Sequence, residues 1–344
     1  MPSCSRPLAV YALTAGGAAT ARRLAAALPE ARLFLPVRMA DGGFDRLAAA
    51  LAENWRSFSG HVVVAAAGIV VRAVAPLLRR KDVDPAVVVV DEAGRFAVSL
   101  LSGHLGGAND LARQAAEALG GQAVITTATD SAGKPSLDVL ARDRGCKLEN
   151  LSALSRIGRL VLEDEPVGVF DPDRRLAPAL APWPNAFFLV EKAPAHDDCR
   201  PLVWVGPEDL PFPGEWLLVR PPCLFLGLGC NRGTDAAEML DLVRVALKKF
   251  GLSPASVAGL ASVDIKQDEP GLLALAEILN LPLTFFTSRE LSAVEVPNPS
   301  AAAEKHIGVK SVCEAAALLA SGRGRLLIPK QKSKNATLAA GCSR

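Results

Sequence analysis

The stretch at residues 99–112 reads SLLSGHLGGANDLA. Its apolar start leads into a loop with three glycines and His104, one of only four histidines in the chain, and residues with helical spacing follow. A strand that ends in glycines just before a helix directs backbone N–H groups toward the edge of a sheet. The stretch therefore predicts an α/β fold with a candidate site at this edge.

Strand and helix patterns alternate around this stretch. Strands are predicted at 8–14, 33–37, 61–66, 86–90, 95–101 and 123–130. Helices are predicted up to Leu28 and at 44–58, 68–78 and 110–119. The alternation indicates a mostly parallel sheet, and the turn at 91–94 indicates a hairpin between its two flanking strands.

The composition changes at Ser136, and proline and tryptophan become frequent after a predicted helix at 137–162. A second glycine-rich turn, 227–233, follows an apolar run from Cys223 and precedes a predicted helix at 235–250 with Thr234 as its N-cap. Further strands are predicted at 167–170, 187–190, 202–205, 257–263 and 283–286, helices at 272–279 and 311–319, and a hairpin at 325–329 and 335–340.

These elements predict three α/β domains. We expect an N-terminal domain with a mostly parallel sheet at 1–135, a small central α/β domain at 136–222 and a C-terminal α/β domain at 223–344. The length of 344 residues, with half of them hydrophobic, is enough to bury sizeable cores.

The charge and cysteine counts exclude several classes of protein. A net charge of +2 provides no global attraction to nucleic acid or to an anionic membrane. The longest apolar run, 62–71, is far shorter than the ~20 residues that span a bilayer, and the first residues lack the apolar core of a signal peptide. The seven cysteines are an odd number without a C-x-x-C pair, which argues against a disulfide framework and a structural zinc site. We expect a cytoplasmic protein.

Several motifs recur in one order along the chain. In the N-terminal part they are AGIVVR at 67–72, LLSGHLGGAN at 100–109 and ITTATD at 125–130. In the C-terminal part they are GLGC at 227–230, DIK at 264–266, DE at 268–269 and VCEAAA at 312–317. In these motifs the sequence resembles the cobalt-precorrin-5A hydrolase family of the oxygen-independent route to cobalamin. The resemblance covers nearly the whole chain and is weakest at about 136–222.

The resemblance implies a substrate and a reaction. The substrate would be a cobalt-bearing contracted tetrapyrrole whose ring-A acetate is closed as a δ-lactone. Opening of the lactone would drive carbon–carbon cleavage, release acetaldehyde and give cobalt-precorrin-5B. The cobalt arrives inside the substrate, so no cofactor and no protein-bound metal are expected. Two further expectations are transient contacts with other cobalamin-pathway enzymes and a homodimer.

Three side chains are candidate catalytic groups: His104, Asp130 and Glu269. Histidine suits proton transfer near neutral pH, and lactone opening requires a base and donors to the developing oxyanion. Each candidate also has a structural alternative. His104 would tie its loop down, Asp130 would form a turn, and Glu269 would stabilise the first turn of a helix.

Further residues are predicted to bind the substrate: Gly103, Gly106, Gly107, Asn109, Arg72, Lys81, Gly229, Cys230, Lys266 and Lys330. Glycines let backbone N–H groups approach a ligand, and cations meet the peripheral carboxylates of a tetrapyrrole. The alternatives are that Asn109 caps a helix, that the cations are solvated surface charges, and that Cys230 is a buried small residue rather than a thiolate.

Two other functions remain open from the sequence. The first is a non-catalytic corrinoid carrier or scaffold of the same pathway. The second is a nucleotide-binding α/β enzyme, which the two glycine turns favour. Neither turn has the phosphate-loop lysine, and the spacing of 227–233 departs from the dinucleotide pattern.

Overall fold

The computed structural model describes residues 7–80, 83–195, 200–209, 211, 214–299 and 309–343. The chain folds as two compact units, of which the first ends at Val139 and the second begins at Leu140. Lys81 lies outside the described residues.

The first unit contains a six-stranded sheet in the order β2-β1-β3-β4-β5-β6. Its strands are β1 (Leu8–Ala12), β2 (Arg32–Phe34), β3 (Gly60–Val64), β4 (Ala86–Val90), β5 (Phe96–Leu101) and β6 (Gln122–Val124). Strands β4 and β5 pair antiparallel as the predicted hairpin, and all other neighbours are parallel. The helices are α1 (Ala15–Ala27), α2 (Leu47–Asn54), α3 (Ala67–Val74), α4 (Ala108–Leu119), α5 (Ala128–Ser131) and α6 (Leu137–Asp143), which crosses the boundary between the units.

Helices cover both faces of this sheet, so its central strands β3 and β4 are buried along their whole length. Alternate residues of a strand point to opposite faces. Val62 and Val64 therefore pack in one core with residues of α1 and α4, whereas Val63 packs in the other with residues of α2 and α3. This two-sided burial explains why both strands read as continuous apolar runs.

One prediction in the first unit is wrong where it concerns the site. The strand predicted at 123–130 ends after Val124, and Asp130 lies in the short helix α5. The Thr127 hydroxyl donates to Asp130 Oδ2 at 2.6 Å. Local side-chain bonds of this kind compete with extended structure, which is the physical reason that the polar half of the segment leaves the sheet.

The second unit contains two five-stranded sheets. One has the order β7-β11-β10-β8-β9, with β7 antiparallel to β11 and the other neighbours parallel. Its strands are β7 (Lys147–Glu149), β8 (Val167–Phe170), β9 (Phe187–Leu189), β10 (Leu202–Val205) and β11 (Trp216–Arg220). Its helices are α7 (Leu151–Leu162) and α8 (Ala177–Leu180).

The other sheet of this unit has the order β14-β13-β12-β16-β15. Strands β12, β13 and β14 are parallel, and β15 and β16 form the predicted C-terminal hairpin. The strands are β12 (Leu224–Cys230), β13 (Val257–Val263), β14 (Leu283–Phe286), β15 (Arg325–Lys332) and β16 (Ala336–Cys342). The helices are α9 (Ala236–Lys249), α10 (Pro270–Leu279), α11 (Ser288–Ser292) and α12 (Val312–Ala320).

The predicted fold class, α/β with a mostly parallel N-terminal sheet, is confirmed by these three sheets. Two details are wrong. The helix predicted at 137–162 is interrupted by β7, because Gly145 and Asn150 have positive φ angles of 67° and 56° that a helix does not tolerate. Asp235, not Thr234, caps α9, and its Oδ1 accepts from the Ala237 amide at 3.1 Å. Among the described helices, none has the length and apolar character needed to cross a membrane.

Candidate functional site

The loop between β5 and α4 folds back onto the first turn of α4 and places His104 there. The Ser102 and Gly103 carbonyls accept from the amides of Ala108 and Asn109 at 3.1 and 3.0 Å. Gly107 has φ +82° and donates its N–H to the His104 carbonyl at 2.9 Å. That N–H is therefore used within the loop instead of facing a ligand.

The other two loop glycines are required by close packing. A Cβ on Gly106 would lie 2.3 Å from Ser102 Cβ, and one on Gly103 would lie 2.7 Å from Asn109 Oδ1. Real Cβ atoms do not approach other atoms so closely. The three glycines thus have a structural role, and their predicted contact with substrate stays a prediction.

Asn109 joins β5, α4 and the start of α5. It is buried, with 3% of its surface exposed. Its amide donates to Thr127 Oγ1 and Asp130 Oδ2, both at 3.0 Å, and its Oδ1 accepts from Ser99 Oγ at 2.7 Å. The N-cap of α4 is Gly107, so the interpretation of Asn109 as a helix cap is wrong.

Asp130 is a carboxylate held by several donors. Thr127 and Arg113 each donate to it at 2.6 Å, in addition to Asn109. Burial by itself would raise the pKa of Asp130, but hydrogen bonds from Thr127, Arg113 and His104 outweigh it and lower that pKa below its ordinary value. The Asp130 carboxylate is therefore ionised and held in place by these donors, from which it accepts hydrogen bonds.

The imidazole of His104 has polar partners on both ring nitrogens. Nε2 lies 3.1 Å from Asp130 Oδ2 and 3.2 Å from Thr129 Oγ1. Nδ1 lies 3.1 Å from Ser136 Oγ and 3.7 Å from Asp138 Oδ2. The ring keeps 23% of its side-chain surface exposed, so a ligand can reach it while its orientation is fixed.

Several members of this cluster were not predicted as site residues: Ser136, Asp138, Thr129, Thr127 and Arg113. Ser136 and Asp138 flank the buried Leu137 in an S-L-D sequence. Two polar residues around one apolar residue, six positions after the end of the ITTATD motif, are the available signal. The structure brings together His104, Asp130 and Asn109 of the predicted residues.

Arg72 lies elsewhere in the first unit. It is exposed on α3, and its guanidinium donates to the Gly68 carbonyl of its own helix at 3.1 Å. This contact agrees with a solvated helix residue, and its binding of substrate stays a prediction. The predicted role of Lys81 concerns a residue outside those that the structure describes.

A second cluster, in the C-terminal part of the second unit, joins Glu269, Lys266 and Gly233. The Lys266 ammonium lies 3.3 Å from Glu269 Oε2, and Glu269 Oε1 accepts from the Gly233 amide at 2.7 Å. Both charged residues are buried, with 7% and 1% of their surfaces exposed. Glu269 precedes Pro270, the first residue of α10, so its carboxylate ties the glycine-rich turn to the start of that helix.

Cys230 ends β12 close to this ion pair. Burial raises the pKa of the Cys230 thiol to about 11, although Lys266 lowers it and Glu269 raises it to smaller extents. The thiol is therefore protonated at neutral pH. Cys230 is half-buried at the end of β12, and its predicted contact with substrate stays a prediction.

The glycines of the GLGC motif allow close packing against β12, by α12 at Gly227 and by β16 at Gly229. A Cβ on Gly227 would lie 1.9 Å from the Cys313 carbonyl oxygen, and one on Gly229 would lie 2.8 Å from Thr337 Oγ1. The predicted contact of Gly229 with substrate stays a prediction beside this packing role.

Lys330 lies on β15 next to a buried carboxylate. Its amide donates to Glu314 Oε1 at 3.0 Å, and the Asn298 side chain donates to the same oxygen at 2.7 Å. Glu314, in the VCEAAA motif, is fully buried and joins β15 to the segment before α12. It was not predicted as a functional residue.

Neither cluster contains a group of three or more histidine, cysteine, aspartate or glutamate side chains suited to hold a metal ion, among the residues that the structure describes. A cavity of about 360 Å³ lies beside α8 and β9 in the second unit, and its lining is apolar apart from Arg174. None of the predicted site residues lines it.

Models of protein families match most of the chain. The matching family models are described as Cobalamin synthesis G N-terminal for residues 49–130, Cobalamin biosynthesis central region for 135–221 and Cobalamin synthesis G C-terminus for 224–341.

Curated relatives match over similar lengths. Cobalt-precorrin-5A hydrolase of Salmonella typhimurium is 35% identical over 351 residues, which covers 97% of each chain. Cobalt-precorrin-5A hydrolase of Priestia megaterium is 32% identical over 307 residues, which covers 84% of this chain and 79% of the relative. Protein CobE of a Sinorhizobium species is 38% identical over 119 residues, which covers 34% of this chain and 77% of that protein.

Proposed function

Because the chain belongs to the cobalt-precorrin-5A hydrolase family, we propose that it hydrolyses cobalt-precorrin-5A to cobalt-precorrin-5B and acetaldehyde. The observation that carries the proposal is the 35% identity to the Salmonella relative over 97% of both chains. Such coverage extends through both glycine-rich turns and the central region between them.

The reaction requires a proton acceptor for an attacking oxygen, and the His104 cluster supplies one. Asp130 accepts from Nε2 and fixes the ring, while Nδ1 remains for proton transfer. A positioned general base contributes ~10²–10⁴-fold to a rate. After the lactone opens, the freed oxygen on the exocyclic carbon collapses to a carbonyl, and the bond from that carbon to the macrocycle breaks. The electron pair goes to the macrocycle, which takes up a proton as acetaldehyde leaves.

Cations on this chain would meet the carboxylates at the rim of the tetrapyrrole. Arg72 on α3 and Lys81 are the residues of the first unit that we assign to this role, and Lys330 on β15 stays a separate candidate of the second unit. Lys266 is already neutralised by Glu269 at 3.3 Å, so its charge acts mainly within the fold.

No resident metal or cofactor is part of the proposal, because the cobalt belongs to the substrate. We place the reaction in the cytoplasm, with the next pathway enzyme as a transient partner and a homodimer as the assembly to examine.

The proposal is tested by anaerobic incubation of the purified chain with cobalt-precorrin-5A. Acetaldehyde is measured by its reduction with NADH and alcohol dehydrogenase, and the corrinoid product is measured by its mass. Stoichiometric release of acetaldehyde with loss of the lactone is expected. A corrinoid complex that forms without acetaldehyde release would instead identify a carrier.

A further inference from the structure

We infer that Ser136 is the nucleophile that attacks the lactone carbonyl, so that the reaction proceeds through an ester between Ser136 and the ring-A acetate. This inference rests on the proposed function and identifies the attacking oxygen. It follows from the position of the serine relative to the His104 ring.

Ser136, His104 and Asp130 form a hydrogen-bonded series with the imidazole in the middle. Ser136 Oγ lies 3.1 Å from Nδ1, and Asp130 Oδ2 lies 3.1 Å from Nε2. A hydroxyl within hydrogen-bond reach of a base that a third group orients is the general arrangement of an activated nucleophile. Such sets are identified by geometry and roles rather than by their order in the chain.

The protonation of the ring follows from Asp130. An ionised carboxylate can only accept hydrogen bonds, so Nε2 carries the proton that it shares with Asp130. The lone pair of a neutral ring then lies on Nδ1, which is the nitrogen that faces Ser136. Because Thr127, Asn109 and Arg113 also donate to Asp130, the carboxylate remains charged and in place when the ring becomes cationic.

Asp138 fixes the serine hydroxyl on its other side. Its Oδ1 accepts the one hydroxyl proton of Ser136 and the N–H of Val139 at 3.1 Å, so the O–H rotates from Asp138 toward Nδ1, 3.1 Å away, when the serine attacks. Asp138 is 5% exposed, and its Oδ2 lies 3.7 Å from Nδ1, so a second carboxylate faces the imidazolium that forms. Ser136 itself is partly exposed, which leaves its oxygen open to a ligand.

The step balances without an outside reagent. Ser136 Oγ forms a bond to the lactone carbonyl carbon, the ring C–O bond of the lactone breaks, and the serine proton moves to His104 Nδ1. The alkoxide collapses to acetaldehyde, and the macrocycle carbon that keeps the electron pair receives the proton from His104. Water then attacks the ester, with His104 again as base, and regenerates Ser136. One water is consumed and one acetaldehyde is released.

The test is rapid acid quenching of the full chain with excess cobalt-precorrin-5A under anaerobic conditions, followed by intact-protein and peptide mass spectrometry. The wild-type chain should carry an adduct with the mass of the substrate less acetaldehyde, on the peptide that contains Ser136. The Ser136→Ala variant should lack the adduct and release acetaldehyde on the order of 10³-fold more slowly or worse. The Ser136→Cys variant should accumulate a thioester on the same peptide. The control is Ser131→Ala, an exposed serine of α5, which should behave as wild type.

Two outcomes overturn the inference while the proposed function stands. One is acetaldehyde release by Ser136→Ala at the wild-type rate. The other is wild-type turnover without an adduct on Ser136, with no thioester on Ser136→Cys. Absence of acetaldehyde from the wild-type chain would instead overturn the proposed function, and the inference with it. Thermal unfolding of each variant, compared with wild type, separates a chemical loss from a folding loss.

Discussion

The two ring nitrogens of His104 have different neighbours. Nε2 faces a carboxylate that three other residues hold in place, and Nδ1 faces a partly exposed hydroxyl. The sequence identified His104 and Asp130 as candidate catalytic residues from residue type and motif. It did not place Ser136, because the turn from α5 into α6 depends on tertiary packing around the buried Leu137 rather than on periodicity.

Asp130→Asn should lower kcat for acetaldehyde release by about 10²- to 10⁴-fold with a smaller change in KM. An asparagine retains the shape of the side chain but offers an N–H₂ group or a neutral oxygen to Nε2, so it neither fixes the tautomer nor stabilises the imidazolium. Steady-state kinetics under anaerobic conditions measure the effect. Asp110→Asn is the matched control, since Asp110 also contacts Arg113, at 2.9 Å, on the exposed side of α4. Equal kcat for wild type and Asp130→Asn would exclude the assigned role.

His61 provides a separate prediction about pH. It is fully buried between aromatic rings, and burial lowers its pKa from 6.5 to about 4. The unfolded chain therefore binds one more proton than the folded chain between these two pH values, so stability is retained above pH 6.5 and is lost as the pH falls toward 4. Because of His61, the free energy of unfolding should be lower at pH 5 than at pH 7 by roughly 2 kcal/mol.

The measurement compares urea unfolding of wild type and His61→Phe at pH 7 and pH 5. Phenylalanine retains the stacking and has no proton to bind. The free energy of unfolding of the wild type should fall by roughly 2 kcal/mol more than that of the variant. If the free energy of unfolding of the two proteins changed equally with pH, His61 would have the same pKa in the folded and the unfolded chain, which would contradict the prediction.

Among the elements, α12 and β12 pack closely at Gly227. Gly227→Ala should lower the free energy of unfolding by about 2–3 kcal/mol or more, because the new Cβ would lie 1.9 Å from the Cys313 carbonyl oxygen and must push the helix from the sheet. Gly158→Ala in α7 is the control, since nothing lies within 4 Å of its Cβ position. That substitution should instead stabilise by ~0.4–1 kcal/mol. Similar effects of both changes on chemical denaturation would contradict this packing.

The buried pair Lys266–Glu269 connects the glycine-rich turn of the second unit to α10. Glu269→Gln leaves an ammonium group buried without its counter-charge, so a loss of ~3–5 kcal/mol is expected. The double variant Lys266→Met/Glu269→Gln should recover most of that stability and should release acetaldehyde within about tenfold of wild type. Chemical denaturation and the rate of acetaldehyde release are measured for the wild type, Glu269→Gln and the double variant. A stable but inactive double variant would make Glu269 or Lys266 part of the chemistry.

Elements with strong patterns were predicted best. The strands at 86–90, 167–170, 202–205, 257–263 and 283–286 have the predicted bounds. Strands β7 and β11 were not predicted, and β7 has only three residues, two of them charged. Strand β11 also ends in the buried Arg220, whose charge is neutralised by Glu149 on β7 at 2.6 Å. No local signal reveals that pairing.

At the scale of the whole molecule, the two clusters differ in character. The cluster in the first unit leaves a histidine and a serine hydroxyl accessible, whereas the Lys266–Glu269 pair in the second unit is almost wholly buried. Both sets contained candidate catalytic residues in the sequence analysis, because residue type and motif do not report burial. The difference in exposure is the reason that we assign proton transfer to His104 and a structural role to Glu269.

The most direct test of this account is the anaerobic rate of acetaldehyde release from cobalt-precorrin-5A by wild type and by His104→Ala, at matched thermal stability. We predict stoichiometric release by the wild-type chain and a rate lower by at least about 10²-fold for the variant, which should retain the wild-type melting temperature within a few degrees. Wild-type turnover by a folded His104→Ala variant would contradict the central claim that proton transfer in this protein depends on His104.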